Sequence, residues 1–179
     1  AVAYRCNMVI SGGVGAGKTT LLEIFSSFIN PRERVGLIED VAELSLRHEH
    51  LVRMETLPAN VEGKGAVTVS ALVRNALRMR FDRLIIGEIR DGAAFHMLQT
   101  MNMGSDGSLT TVHANSSDDV ITRLVSLAQE AASLPVDTLH TMIATAVDLF
   151  VHVQRVAGGG RRVAQIAECC GTDPTTGRV

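Results

Sequence analysis

The sequence predicts an α/β domain built on a mostly parallel central sheet, and three observations carry that prediction. Short apolar segments alternate with segments of helical period along most of the chain. A glycine-rich turn, "GGVGAGKT" at 12–19, joins the first apolar segment to the first helical one. Two β-rich segments flank "AGGG" near the end, which signals a C-terminal β-hairpin. In sheets of this kind ligands bind outside the carboxyl ends of the strands, so those ends are where chemistry is sought.

The elements follow in order. "CNMVIS" (6–11) reads as a strand. In 19–29, Leu21, Leu22, Phe25 and Phe28 recur at helical spacing, and Pro31 follows. "RVGLIED" (34–40) is a second strand, and "LVRMET" (51–56) alternates like a third, with Arg53 and Glu55 on one face. Residues 57–68 hold Pro, Asn and two Gly and read as a loop. Residues 70–80 are helical, with Leu72, Val73, Ala76 and Leu77 inward and Arg74 and Arg78 opposite. "RLIIGEIR" (83–90) is a strand, 93–103 a helix, and "SLTTVH" (108–113) a strand. Ser116 or Ser117 suits the cap of a helix running to about Ala132. Pro135 suits the first turn of another, with Leu139, Met142, Ile143 and Ala146 inward. The hairpin pairs 149–156 with 161–167, and the last dozen residues read as irregular.

Composition narrows the function classes. A chain of 179 residues suits one domain with its own core. Aromatics make up 3%, so the core must be mostly Leu, Ile, Val, Met and Ala. Net charge is −2, which gives no bulk drive toward nucleic acid or anionic membrane, and base-stacking platforms lack their aromatics. No apolar run reaches the roughly 18 residues of a membrane span, and no signal peptide is visible. Cys6, Cys169 and Cys170 have no C-x-x-C spacing, which fits a reducing compartment. The start at Ala1 and Val2, on the approach to a strand, suggests a piece of a longer protein.

Four features carry chemistry. "GGVGAGKT" fits G-x-x-x-x-G-K-[ST], whose four fixed positions arise by accident in on the order of one chain in 200 of this length. Gly12, Gly15 and Gly17 let backbone N–H groups turn toward a phosphate. Lys18 supplies charge to the β- and γ-phosphates, Thr19 a hydroxyl to Mg²⁺, and the following helix its N-terminal dipole. The nucleotide-binding set is Gly13, Val14, Gly15, Ala16, Gly17, Lys18, Thr19 and Thr20.

Glu88 ends the strand 83–90. Beside a phosphate loop it reads as holding Mg²⁺ through water or activating the attacking water; alone it reads more readily as a strand-end salt bridge to Arg90. Glu39 and Asp40 close the second strand, as a base near the γ-phosphate or as a turn cap. Arg53, Arg78 and Arg90 are candidates for stabilising transition-state charge, against the plainer reading of solvated ion pairs. His113 closes the strand 108–113 at the same sheet edge.

These motifs, in this order, resemble the secretion-superfamily ATPases, the hexameric motors of type II and type IV secretion and of type IV pili. The residues are "SGGVGAGKTT", "IEDVAEL", "VRMET" and "LVRNALRMRFDRLIIGEIRDGAAFHMLQTMNMGSDGSLTTVHANSSDD", and the match runs from about Cys6 to Ile166. The branch resembled most is the tight-adherence (Flp) pilus ATPase, with the hexameric type IV secretion ATPases close to it. The resemblance implies a RecA-like P-loop domain over 1–167, an irregular tail over 168–179, and an N-terminal domain outside this stretch. It makes "IED" the aspartate box with Glu39 and Asp40, "IIGEIR" the Walker B equivalent with Glu88, and "TTVHAN" the histidine box. His113 would then sense the γ-phosphate. It implies ATP and Mg²⁺, with Thr19 and Glu88 on the metal, and weak turnover by the isolated domain.

The implied partners are five further copies in a hexamer and the platform proteins of the inner membrane, with the protein on the cytoplasmic side. Direct contact with nucleic acid is not expected. Phe81 departs from the family's usual Pro, and the four-cysteine zinc motif of some type II relatives is absent. The main expectation is a motor for pilus assembly or protein secretion. The alternatives are a type IV ATPase for conjugative DNA or protein transfer, and a nucleotide-gated docking module with little turnover.

Overall fold

A computed structural model describes residues 1–179, the side chain of Ser117 excepted. Seven strands form one sheet: β1 (Met8–Ser11), β2 (Val35–Glu39), β3 (Leu51–Glu55), β4 (Arg83–Ile89), β5 (Leu109–Val112), β6 (Leu149–Arg155) and β7 (Arg161–Glu168). Their spatial order is β3-β2-β4-β5-β1-β6-β7. The first six run parallel, and β7 returns antiparallel to β6 as the expected hairpin.

The helices cover the two faces unequally. α2 (Val69–Ala76), α3 (Ala93–Asn102), α4 (Ser117–Gln129) and α5 (Val136–Ala146) pack on one face, over the larger core of Ile38, Leu84, Ile86, Met97, Leu98, Leu124 and Ile143. α1 (Lys18–Ser26) and the segment after β2 cover the other, over Ile10, Leu22, Leu37, Leu44, Ile85 and Val151. β1 and β2 are buried on both faces and read as continuous apolar runs, as parallel strands do. β3 lies at the edge and keeps its alternation.

Boundaries differ from expectation at three places. Val2–Tyr4 form a short 3₁₀ turn, not the approach to a strand. β1 starts at Met8 because Asn7 is used as a clamp: Nδ2 donates to the Ala146 carbonyl (2.8 Å) and Oδ1 accepts from Ser108 N–H (2.9 Å). α2 stops at Ala76, short of Arg80, and Arg80 itself takes a left-handed φ of 55° that no helix continues through. Ser116, of the two serines expected to cap α4, accepts from Asp119 N–H.

Two strands each carry one extra residue. Between β4 and β5, Ile86 faces Thr110 and Ile89 faces Val112, so Gly87 and Glu88 together oppose Thr111. Between β6 and β7, His152 faces Gln165 and Val153 faces Val163, so Ala164 is left over. An extra residue flips the alternation beyond it. Strict alternation from Leu84 and Ile86 would aim Glu88 into the larger core; the bulge puts Ile89 there instead and frees Glu88 to the sheet edge.

Candidate nucleotide site

The phosphate loop leaves β1 after Ser11 and re-enters regular structure at Lys18. Gly17 is the N-cap of α1 at φ 98°, a conformation that a side chain resists, and it offers no side-chain cap. The first intrahelical bond runs from Leu21 N–H to the Gly17 carbonyl. The amides of the first turn precede that ladder and face an anion site. Gly12 is needed for another reason: a Cβ there would overlap the Val153 carbonyl of β6. The loop is thus seated directly on the neighbouring strand.

Four chain segments then line one cavity of about 340 Å³ at the carboxyl edge of the sheet: the loop with Lys18 and Thr19, the end of β2 with Glu39 and Asp40, the β4 bulge with Gly87, Glu88 and Arg90, and β5 with Thr111 and His113. Thr111 Oγ1 donates to the Gly87 carbonyl (2.7 Å) and ties β5 to the bulge.

Lys18 is buried and folds back over the loop, with Nζ donating to the carbonyls of Gly12 (3.1 Å) and Gly13 (3.2 Å). Burial lowers its pKa, and Glu88 opposes that shift. Nζ also lies 3.3 Å from His113 Nδ1. The His113 pKa is lowered, first by burial and then by the Lys18 charge, so the ring is neutral near pH 7.

Glu88 is held from two sides. Its Oε2 accepts from Arg90 Nε (2.8 Å) and Nη2 (2.5 Å), and the pair raises the Arg90 pKa. Its Oε1 is buried and, among the described residues, has no hydrogen-bond partner. His113 Nε2 stands 2.7 Å from that oxygen, close but not aligned as a hydrogen bond. An orphaned carboxylate oxygen in a cavity shared with the Thr19 hydroxyl is the oxygen donor set that suits Mg²⁺ and its waters.

Glu39 has a different surrounding. Its carboxylate is buried, with Oε1 accepting from the N–H groups of Glu43 (3.0 Å) and Leu44 (2.8 Å). Its Oε2 meets Arg53 Nη1 at 3.4 Å. Gly87 lets this side chain lie against β4, since a Cβ there would come within 3.3 Å of Glu39 Cγ. Of the two acids ending β2, it is Glu39 that takes the turn-capping part expected of Asp40, while Asp40 lies 3.8 Å from Arg90 Nη1.

The three arginines part company. Arg90 lines the cavity. Arg53 donates to the carbonyls of Leu44 (2.8 Å) and Leu46 (3.4 Å) and holds the segment after β2 onto β3. Arg78 is exposed beyond the end of α2, on the side from which the chain enters β4, and bonds the Arg74 carbonyl. That is the far edge of the sheet from the phosphate loop. One residue that sequence reasoning missed reaches the loop: Arg161 at the start of β7 donates from Nε to the Gly15 carbonyl (2.9 Å).

A family model described as Type II/IV secretion system protein matches residues 1–166. The chain belongs to that family. It is 45% identical over 166 residues to the putative conjugal transfer protein Rv3659c of Mycobacterium tuberculosis, covering 93% of this chain and 47% of that protein. It is 41% identical over 153 residues to protein VirB11 of Agrobacterium fabrum, covering 84% and 44%. The crystal structure of the VirB11 ATPase from the Brucella suis type IV secretion system, in complex with sulphate, superposes with a TM-score of 0.85 at 30% identity, covering 94% of this chain and 49% of that one.

The α/β fold of the secretion ATPase family is therefore the fold of this chain. The chain spans about half the length of these relatives. Their names speak for conjugal transfer and type IV secretion, so the tight-adherence branch expected from the motifs is not the one they support. Among the described residues no helix is long and apolar enough to cross a membrane.

Proposed function

We propose that this chain is the ATP-hydrolysing motor domain of a type IV secretion or conjugal-transfer machine. The observation that carries it is the convergence of a phosphate loop, a lysine, an orphaned glutamate oxygen and a histidine on one cavity. The kinship to conjugal-transfer and VirB11 proteins favours this cargo class over pilus assembly.

In this reading the loop amides and Lys18 hold the α-, β- and γ-phosphates. Thr19 and Glu88 would hold Mg²⁺, partly through water, and the ion would supply neutralisation of phosphate charge. Glu88 orients the attacking water, and Arg90 holds Glu88 in position. His113 responds to the γ-phosphate by choosing between Glu88 and Lys18. Glu39 shapes the cavity wall, and Arg53 supports it. Arg78, at the far edge, serves a neighbouring subunit if it serves any site. The full protein works as a hexamer on the cytoplasmic face of the inner membrane, docked on platform proteins.

The test is made in the full-length protein. Lys18→Ala abolishes nucleotide binding, and Glu88→Gln keeps ATP bound while hydrolysis stops. In the host, both abolish conjugal or effector transfer. Loss of surface pili with transfer intact would move the proposal to pilus assembly; undiminished ATP turnover by Glu88→Gln would remove Glu88 from the chemistry.

A further inference from the structure

Arg161 has no part in the cavity described above, yet it grips the phosphate loop. Besides its bond to the Gly15 carbonyl, its Cδ packs against Gly17, where a Cβ would come within 2.9 Å. Between Arg161 and the loop lies a second cavity of about 260 Å³, lined by residues 15–20 and Arg161. It shares Gly15, Lys18 and Thr19 with the first cavity but none of the acids or His113. The first cavity runs from the loop toward Glu88 and His113, the second toward Thr20 and Arg161.

A nucleotide seated in the loop has two ends. The γ-phosphate end points to Lys18 and the Glu88–His113 side. The α-phosphate and its nucleoside must leave by the other side, past Thr20 and Arg161. Only Arg161 Nε is used by the protein; among the described residues no carboxylate lies within ion-pair distance of its guanidinium. The two terminal amino groups thus form a fork anchored at the loop, a shape that suits a phosphate oxygen pair.

We propose that Arg161 binds the α-phosphate end of the nucleotide, so that the C-terminal hairpin closes the nucleoside side of the site. This rests on the phosphate-loop reading above. The β7 bulge is what makes it geometrically available. Arg161 pairs with Arg155 and Val163 with Val153, which belongs to the α1-side core. Without the extra Ala164, the alternation would turn Arg162 to that face and Arg161 away.

The experiment is titration calorimetry of the full-length protein with ADP and with inorganic phosphate, both with Mg²⁺. Arg161→Gln keeps a donor for the Gly15 carbonyl and removes the charged fork. The expected result is about tenfold weaker ADP binding with phosphate binding unchanged, since a charge-assisted pair to the α-phosphate is lost and the inner phosphate contacts stay. An equal loss for both ligands shows that Arg161 only shapes the loop and overturns the proposal. So does no loss for either. If the unaltered protein binds neither ligand, or Lys18→Ala binds both, the phosphate-loop reading itself has failed and takes this proposal with it.

Discussion

His113 Nε2 stands 2.7 Å from Glu88 Oε1, while the same ring lies 3.3 Å from Lys18 Nζ through Nδ1. The ring therefore stands between the Lys18 cation and the Glu88 carboxylate. If that bridge relays nucleotide state, His113→Ala lowers kcat roughly 100-fold, in the range of general acid–base effects, while ADP affinity changes little. Steady-state turnover and ADP titration check this. Unchanged turnover would return His113 to scaffolding.

Acid should act through the same ring. The folded pKa of His113 lies below the ordinary 6.5, because burial and Lys18 disfavour the imidazolium. The unfolded chain then binds the proton first as pH falls. Stability is complete above the unfolded value and declines as pH drops through the folded one. Thermal melts from pH 7.5 downward should show a steeper acid loss for the native chain than for His113→Gln. Parallel curves would refute the assignment.

Arg83 is the largest fully buried side chain, and its charge is answered by Glu33, with Nε to Oε2 at 2.6 Å and Nη2 to Oε1 at 3.2 Å. Arg5 joins the cluster at 3.1 Å. It sits at the amino edge of the sheet, far from the phosphate loop. Removing the acid leaves a buried guanidinium uncompensated, so Glu33→Ala should cost about 3 kcal/mol in urea unfolding. ADP affinity should not move. The Glu33 pKa is held low by its hydrogen bond to Arg83. Its contribution is therefore present above the ordinary carboxylate range and lost as pH falls through the folded value.

Gly12 touches no ligand in any reading, yet its replacement should be felt at the site. An added methyl meets the Val153 carbonyl, a backbone atom held in the β1–β6–β7 sheet, so the loop must yield. Gly12→Ala should weaken ADP binding and lower the melting temperature together. Gly13→Ala, where a Cβ meets open space, is the control and should leave stability near the native value.

The order of strands and helices was legible because β1 and β2 are nearly continuous apolar runs and the helices keep their 3.6 period. The phosphate loop was legible for a stronger reason: few backbones but glycine tolerate Gly17's left-handed turn. The role of Glu39 was half legible. A carboxylate before a turn reads as cap or base alike, and the choice depends on two N–H groups four and five residues on. The far-edge position of Arg78 could have been found, since the last turn before a parallel strand lies at that strand's amino end. Arg161 could not. Its contact crosses 146 residues, and its facing depends on a single unpaired residue that no periodicity reveals.

Both bulges turn a charged side chain toward the glycine-rich loop by a change of phase. Glu88 is turned out of the core by the doublet at Gly87–Glu88, and Arg161 is turned over the loop by Ala164. Deleting either extra residue would conserve every functional side chain in composition and misdirect it in space. In this chain, then, tolerance to point substitution and tolerance to one-residue deletion are separate properties. The sites least forgiving of a shortened strand are an alanine and a glycine with no chemistry of their own.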